Sequence, residues 1–117
     1  MKYALLIYST IADRDSASAE DRARINSMVS DVLERPQVTG WVRLRDVESA
    51  TTLRHDNGKS LLTDGPFVDS KEFLGGLIVV EADNLDGALA VAEELQDIRA
   101  AGAIEVRPVR EGSPRDD

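Results

Sequence analysis

The chain has no cysteine and only one histidine. The first absence excludes disulfides, thiolate metal sites and cysteine nucleophiles, and a single histidine excludes a multi-histidine zinc site within one chain. No apolar run approaches the ~20 residues of a membrane-spanning helix. No glycine-rich phosphate loop, serine–histidine–aspartate set or metal-ligand cluster is visible, so the sequence predicts neither a metal nor a cofactor.

Basic residues are scarce relative to acidic ones. The 14 lysines and arginines stand against 22 aspartates and glutamates, and the formal net charge is −8. Phosphate backbones and anionic lipids repel such a domain, so we expect neither direct nucleic-acid binding nor a membrane partner. The apolar N-terminal stretch is too short for a signal-peptide core, and we therefore expect a cytoplasmic location.

The pattern of apolar residues predicts one domain over residues 1–110. Hydrophobic residues make up 42% of 117, enough for one core. Residues 111–117 (EGSPRDD) are polar, contain proline and show no period, so we expect a flexible tail.

Two segments, residues 3–8 and 73–82, are apolar at nearly every position, which is typical of strands buried on both faces. Two amphipathic helices are also predicted. Ser18 caps the first, which Pro36 closes, and Asn84 caps the second, which Gly102 ends. Further strands are predicted over residues 38–47, 51–55, 59–63 and 103–109, with Asn57-Gly58 as a hairpin turn.

The resulting order, β-α-β-(hairpin)-β-α-β, predicts a ferredoxin-like α+β fold with an extra β-hairpin. Its antiparallel sheet carries two helices on one face. Those helices leave the other face of the apolar central strands without a cover. A second copy would supply one, giving a homodimer built as a dimeric α+β barrel. Alternatively, the hairpin or the tail folds back over this face.

The segment 63–72 is unusual because Gly65 and Pro66 impose a rigid kink between charged residues. It forms either the rim of a ligand cleft or a structural turn. As a rim, it would bind ligand through six residues: Asp64, Gly65, Pro66, Phe67, Lys71 and Glu72.

Two further groups are candidate ligand-binding residues. Gly75 and Gly76, inside an apolar strand, mark a bulge, a ligand or the close approach of a helix or partner. Trp41, Arg43 and Arg45 lie on one face of their predicted strand, and an aromatic ring beside two guanidinium groups can hold a small anionic or aromatic ligand. Otherwise Trp41 packs in an interface and the arginines pair with the chain's own carboxylates.

The candidate catalytic residues are Asp64, Asp97 and His55. His55 is the one side chain that titrates near neutral pH without help, but it sits beside a hairpin turn. It is either solvated or brought to a cleft by a partner chain. Asp97 lies near a helix C-terminus, where the helix dipole disfavours a carboxylate, and a solvated side chain is the alternative interpretation.

Several segments together resemble the YCII-related family, in its DGPF branch. The signature is Thr63-Asp64-Gly65-Pro66-Phe67, followed by Ser70-Lys71-Glu72 and Leu74-Gly75-Gly76. Residues 1–8, 50–54, 83–86 and 104–109 complete the resemblance, which spans nearly the whole chain.

The resemblance implies a ferredoxin-like α+β dimer with a cleft between sheet and helices. Some relatives are thought to use a histidine–aspartate pair, and some eliminate chloride from chlorinated aromatic compounds. Asp97 matches that aspartate, but the first helix has no histidine, so the pair is incomplete. DGPF-branch proteins often accompany extracytoplasmic-function sigma factors, which implies a functional link to such a factor.

Two functions follow. The first is a small-molecule-binding or regulatory homodimer. The alternative is a metal-independent enzyme that performs acid–base or elimination chemistry on a small molecule, aromatic compounds included.

Overall fold

A four-stranded antiparallel sheet forms the centre of the protein in a computed structural model that describes residues 1–113. In chain order the elements are β1 (Lys2–Thr10), α1 (Ile11–Ser16), α2 (Ala19–Leu33), β2 (Val38–Arg43), β3 (Thr51–Asp56), β4 (Lys59–Asp64), β5 (Glu72–Glu81), α3 (Leu85–Arg99) and β6 (Ala103–Pro108). A short 3-10 turn over Val47–Ser49 precedes β3. Of the predicted tail, residues 111–113 form no helix or strand, and residues 114–117 lie outside the described part.

The strand order in the sheet is β2-β5-β1-β6, with all neighbours antiparallel. The two segments that are apolar at nearly every position are therefore the central strands β1 and β5. This order confirms the ferredoxin-like α+β fold predicted from the sequence. It also places the C-terminal ends of β1 and β2 beside the N-terminal part of β5.

Both long helices begin at the predicted caps. The Ser18 hydroxyl accepts a hydrogen bond from the Asp21 backbone N–H at 3.0 Å, and the Asn84 side chain accepts one from Gly87 at 3.1 Å. The α3 helix ends at Arg99, earlier than predicted, because Ala100 takes the left-handed conformation with φ 63°. The short α1 helix was not predicted.

The core lies between one face of the sheet and the helices α2 and α3. Leu5, Val80 and Leu95 are fully or almost fully buried there, at 0%, 0% and 1% exposure. The rest of the core is apolar too: Tyr3, Val32, Leu33, Ile78, Ala88, Val91 and Ala92. The core positions on β1 and β5 alternate with side chains on the opposite, helix-free face.

The predicted hairpin forms a separate two-stranded sheet, β3 paired with β4. Asn57 and Gly58 have φ of 50° and 77°, the positive values that a tight two-residue hairpin turn requires. The radius of gyration is 16.1 Å, whereas a compact chain of this length has about 13 Å. An element that extends away from the body of the domain accounts for such a difference, and within residues 1–113 the β3–β4 hairpin is the pair of strands that lies outside the main sheet.

Candidate functional site

A cleft of about 160 Å³ opens between the helix-covered face of the sheet and helices α2 and α3. We call it the helix-side cleft. Strands β1, β2 and β5 form its floor, and the two helices form its walls. Its lining comprises Ile7, Ser9, Ile25, Asn26, Val29, Leu33, Trp41, Val42, Arg43, Gly75, Gly76, Leu77, Ile78, Leu95 and Arg99. Most of these are aliphatic, and the polar ones are few, as in small-molecule sites.

Four of the sequence-predicted residues meet in this cleft, namely Trp41, Arg43, Gly75 and Gly76. The pairing of β2 with β5 explains why, because Trp41 lies opposite Ile78 and Arg43 lies opposite Gly76. The Arg43 guanidinium sits 5.3 Å from the centre of the Trp41 ring, in cation–π range. Both side chains are exposed, so they stand at the mouth of the cleft.

The two glycines serve different purposes. A Cβ on Gly76 would lie 2.8 Å from the Val42 carbonyl oxygen, so this glycine permits the close approach of β2. A Cβ on Gly75 would have its nearest neighbour, Ser9 Oγ, at 3.7 Å, which is an ordinary contact. Gly75 coincides with a register shift between β1 and β5. Its missing side chain therefore leaves space at the floor of the cleft and is not required by backbone packing.

Arg99 is the polar residue that the structure fixes most firmly in this cleft. Its Nη2 atom donates to the Tyr8 carbonyl oxygen at 2.8 Å and to Ser9 Oγ at 3.0 Å. Nη1 donates to Gln96 Oε1 at 3.2 Å. Burial lowers the pKa of the Arg99 guanidinium from its ordinary value, because a desolvated cation is disfavoured.

The charges in the cleft have one sign. Its lining includes two arginines and no aspartate or glutamate. Across residues 1–113, no carboxylate lies within ion-pairing distance of Arg43 or Arg99. In a chain with 22 acidic residues and a net charge of −8, this local excess of positive charge runs against the average. The arrangement can hold a small apolar molecule and can donate hydrogen bonds to an anionic group on it.

The kinked segment borders a different space, the outer cleft, of about 810 Å³. Pro66, Phe67 and Glu72 line it, together with Tyr8 and Leu74 from the helix-free side. Gly65 has φ 104°, and its N–H donates to the Ala50 carbonyl at 2.7 Å, which fixes the kink against the start of the hairpin. The kink is thus a turn that a backbone hydrogen bond holds in place at the edge of the outer cleft.

The remaining predicted site residues do not converge. Asp64 ends β4 opposite Thr51, and His55 pairs with Ser60 along the hairpin; both are exposed. Lys71 and Asp97 are exposed as well, although the Lys71 carbonyl accepts a hydrogen bond from the Ile11 N–H at 2.8 Å. None of these four lines the helix-side cleft.

Two ion pairs, one at the surface and one partly buried, join neighbouring elements. Arg14 bonds Glu48 at 2.7 Å and so ties α1 to the turn before β3, while Arg35 bonds Glu94 and ties α2 to α3. The hydrogen bonds from these guanidinium groups hold the pKa of each carboxyl below its ordinary value. Neither pair adds a group to the helix-side lining.

Sequence reasoning missed Arg99, Asn26 and Ser9 as cleft residues. Arg99 lies near the C-terminus of a predicted helix, where the helix dipole alone favours a cation, so nothing in the sequence marked it as a ligand contact. Asn26 falls among charged neighbours on the first long helix. The one available signal was that a short polar side chain at position 9 follows six apolar or aromatic residues of the first strand.

No helix in the described part of the chain is long and apolar enough to cross a membrane.

Comparisons with known proteins agree with the resemblance drawn from the sequence. A family model for the YCII-related domain matches residues 1–113. The uncharacterized protein R00369 of Rhizobium meliloti (strain 1021) is 33% identical over 114 residues, which cover 93% of this chain and 92% of that protein.

Two solved structures share 16% sequence identity with the chain. The first is the 5-chloro-2-hydroxyhydroquinone dehydrochlorinase TftG of Burkholderia phenoliruptrix AC1100 in complex with 2,5-dihydroxybenzoquinone, with a TM-score of 0.49 over 99% of this chain and 100% of that one. The second is the divalent cation tolerance protein of Thermus thermophilus, with a TM-score of 0.44 over 97% of this chain and 88% of that one. From the family match and the Rhizobium relative we conclude that the chain belongs to the YCII-related domain family.

Proposed function

We propose that this protein is a homodimer in which each copy binds a small organic molecule in its helix-side cleft. The observation that carries the proposal is the cleft itself, with few polar groups and a mainly aliphatic floor that Gly75 leaves open. An apolar cavity of about 150 Å³ accommodates benzene in another protein. At about 160 Å³, this cleft fits a compound with one ring.

The helix-free face of the sheet supports the dimer. Register places Leu6 opposite Leu77, Tyr8 opposite Leu74 and Val42 opposite Leu77, all between positions that point into the core. Leu74 is 38% exposed and Val42 is 52% exposed. A contiguous apolar patch of this kind is typical of an interaction surface.

The dimensions of the molecule argue against self-cover by the hairpin. The thinnest extent is 19 Å, which suits two layers, one of sheet and one of helices. A hairpin folded over the helix-free face would add a third layer about 10 Å further out. The hairpin also keeps Leu53 and Leu62 exposed, at 59% and 73%. A second copy is therefore the cover that we propose.

Binding without acid–base chemistry is the function that the cleft favours. Within the described residues, neither a histidine nor a carboxylate lines it, and the candidates Asp64, His55 and Asp97 lie elsewhere. An enzyme doing acid–base or elimination chemistry there would need a group supplied by a second copy. A regulatory use of the binding, including the link to a sigma factor that the family resemblance implies, stays a prediction.

A nuclear magnetic resonance titration with benzamide, a neutral one-ring probe, tests the binding site. We expect saturable shifts at the backbone amides of Gly75 and Gly76 and at the Trp41 indole. Gly75→Leu fills the cleft and should abolish these shifts, whereas the control Gly112→Leu adds the same side chain outside the lining. Shifts that survive in Gly75→Leu would refute the assignment.

Sedimentation equilibrium tests the dimer separately. We expect twice the mass of 12.8 kDa at micromolar concentration. A mass equal to one chain would remove the dimer from the proposal and leave the cleft intact.

A further inference from the structure

We infer that the molecule held in the helix-side cleft is an organic anion, with a flat ring on the aliphatic floor and a carboxylate or similar group at Arg99 and Arg43. This inference rests on the proposed function, since it takes the cleft as the binding site. It adds the chemical class of the ligand and the two residues that select it.

Arg99 has donors to spare. A guanidinium has five N–H groups in a fixed plane. The contacts to Tyr8, Ser9 and Gln96 use both Nη2 hydrogens and one Nη1 hydrogen. Nε and the second Nη1 hydrogen have no protein acceptor among the described residues. Either of these N–H groups can donate a charge-assisted hydrogen bond to an anionic oxygen such as that of a carboxylate.

The burial of Arg99 strengthens its attraction for an anionic group. The side chain is partly withdrawn from water, and burial is the sole cause of its lowered pKa. A desolvated cation without a counter-ion is unfavourable, and an anion binding beside it relieves that cost. The hydrogen bonds to the β1 backbone hold the group in place, so little conformational entropy is lost when a ligand arrives.

Arg43 and Trp41 complete the site at the opposite edge. The guanidinium of Arg43 lies over the indole ring and stays exposed at the cleft mouth. From this position it can approach an anionic group from the solvent side, while Trp41 offers a flat face to a ring. One cation is thus fixed at the floor, and the other stands at the entrance.

The chain's own carboxylates do not neutralise the positive charge of the helix-side cleft. Three other arginines, Arg14, Arg24 and Arg35, pair with the chain's own carboxylates. The arginines of the helix-side cleft do not, although acidic residues are in excess. Arg22, Arg45, Arg54, Arg107 and Arg110 also lack a carboxylate partner among residues 1–113, so what distinguishes Arg43 and Arg99 is their place in a cleft whose lining has no aspartate or glutamate.

Benzoate and benzamide make a matched pair of probes, since they share a ring and differ in the charge of one small group. We expect benzoate to bind at least about ten-fold more tightly than benzamide, because hydrogen bonds to charged groups contribute more than neutral ones. The dissociation constants come from titrations followed at the Gly75 and Gly76 amides. Raising the salt concentration should bring the two dissociation constants closer together, because salt screens the attraction between benzoate and the arginines.

Substitutions of single arginines then identify which of them binds the anionic group. Arg99→Gln should weaken benzoate far more than benzamide, so that the two affinities become similar, and Arg99→Lys should recover part of the benzoate affinity. Arg43→Gln alters an exposed side chain, so the test stands even where the Arg99 variants fold poorly. The control Arg45→Gln removes an arginine that lines the outer cleft and not the helix-side cleft.

The outcomes separate this inference from the proposed function. If benzoate and benzamide bind with equal affinity and both shift the cleft amides, the ligand is not selected for its negative charge, but the cleft remains the binding site. The same holds if Arg43→Gln and Arg45→Gln weaken benzoate equally. Shifts from neither probe at the cleft amides would overturn both.

Discussion

Adjacent glycines in β5 should respond in opposite ways to the same added methyl group. In Gly76→Ala, the new Cβ would lie 2.8 Å from the Val42 carbonyl oxygen, closer than real Cβ contacts allow. Either β2 or β5 must move, and overpacking of this kind costs about 1–3 kcal/mol. In Gly75→Ala, the nearest atom is 3.7 Å away, so nothing needs to move.

The Gly75→Ala protein should be as stable as the wild type or slightly more stable. The backbone of Gly75 does not have positive φ, so alanine fits it. Alanine at a compatible position stabilises by about 0.4–1 kcal/mol, because the unfolded chain has fewer conformations. We therefore expect the free energies of unfolding of the two variants to differ by roughly 2–3 kcal/mol.

Urea unfolding at one fixed protein concentration measures this difference, since the stability of a dimer depends on concentration. Melting temperatures should differ by several degrees in the same direction. Equal losses in the two variants would refute the claim that Gly76 serves strand packing and Gly75 only cleft volume.

Three further changes test other parts of the structure. Leu74→Asp places a carboxylate on the helix-free face and should dissociate the dimer, seen as a halved mass in sedimentation, whereas Leu89→Asp, similarly exposed but on α3, should not. Arg35→Gln should lower stability at neutral pH but have little effect in acid. Arg35 lowers the pKa of Glu94, so the pair stabilises the fold fully above about pH 4.3, the ordinary pKa of a glutamate. This stabilisation is lost as the pH falls through the lower pKa of the folded state. Urea unfolding midpoints of the wild type and the variant, measured across this pH range, would show the effect. Ser18→Ala should cost about 1 kcal/mol by removing the cap of α2; an unchanged urea midpoint would contradict that role.

Much of the fold could be predicted because its signals are local. Ser18 and Asn84 cap helices by reaching the backbone three residues ahead, and Asn57-Gly58 supplies two positive φ angles. Each of these features depends on a few neighbouring residues, so a short stretch of sequence is enough to predict it. The unpredicted helix α1 carries the same kind of signal, since the Thr10 hydroxyl accepts from the Asp13 N–H at 3.1 Å, but six residues show no apolar period.

The candidate site could be predicted only where strand pairing determines it. Trp41, Arg43, Gly75 and Gly76 lie on paired strands, so the alternation that identifies the strands also brings these residues together. Arg99 reaches the cleft because α3 packs across the sheet at one particular angle, and this angle is not encoded in any short segment.

The residues of the kinked segment and His55 show the reverse difficulty. A rigid turn and a titratable side chain attract attention in a sequence whether or not they meet a cavity. In the fold they lie along the outer cleft or the hairpin, away from the helix-side lining.

Emission from Trp41 tests the central claim most directly, because it is the one tryptophan in the chain and it lines the helix-side cleft. We predict that added benzoate changes this emission along a saturable curve, and that benzamide requires a markedly higher concentration for the same change. Emission that does not respond, or that falls linearly and equally with both compounds as in collisional quenching, would contradict an anion-selective site.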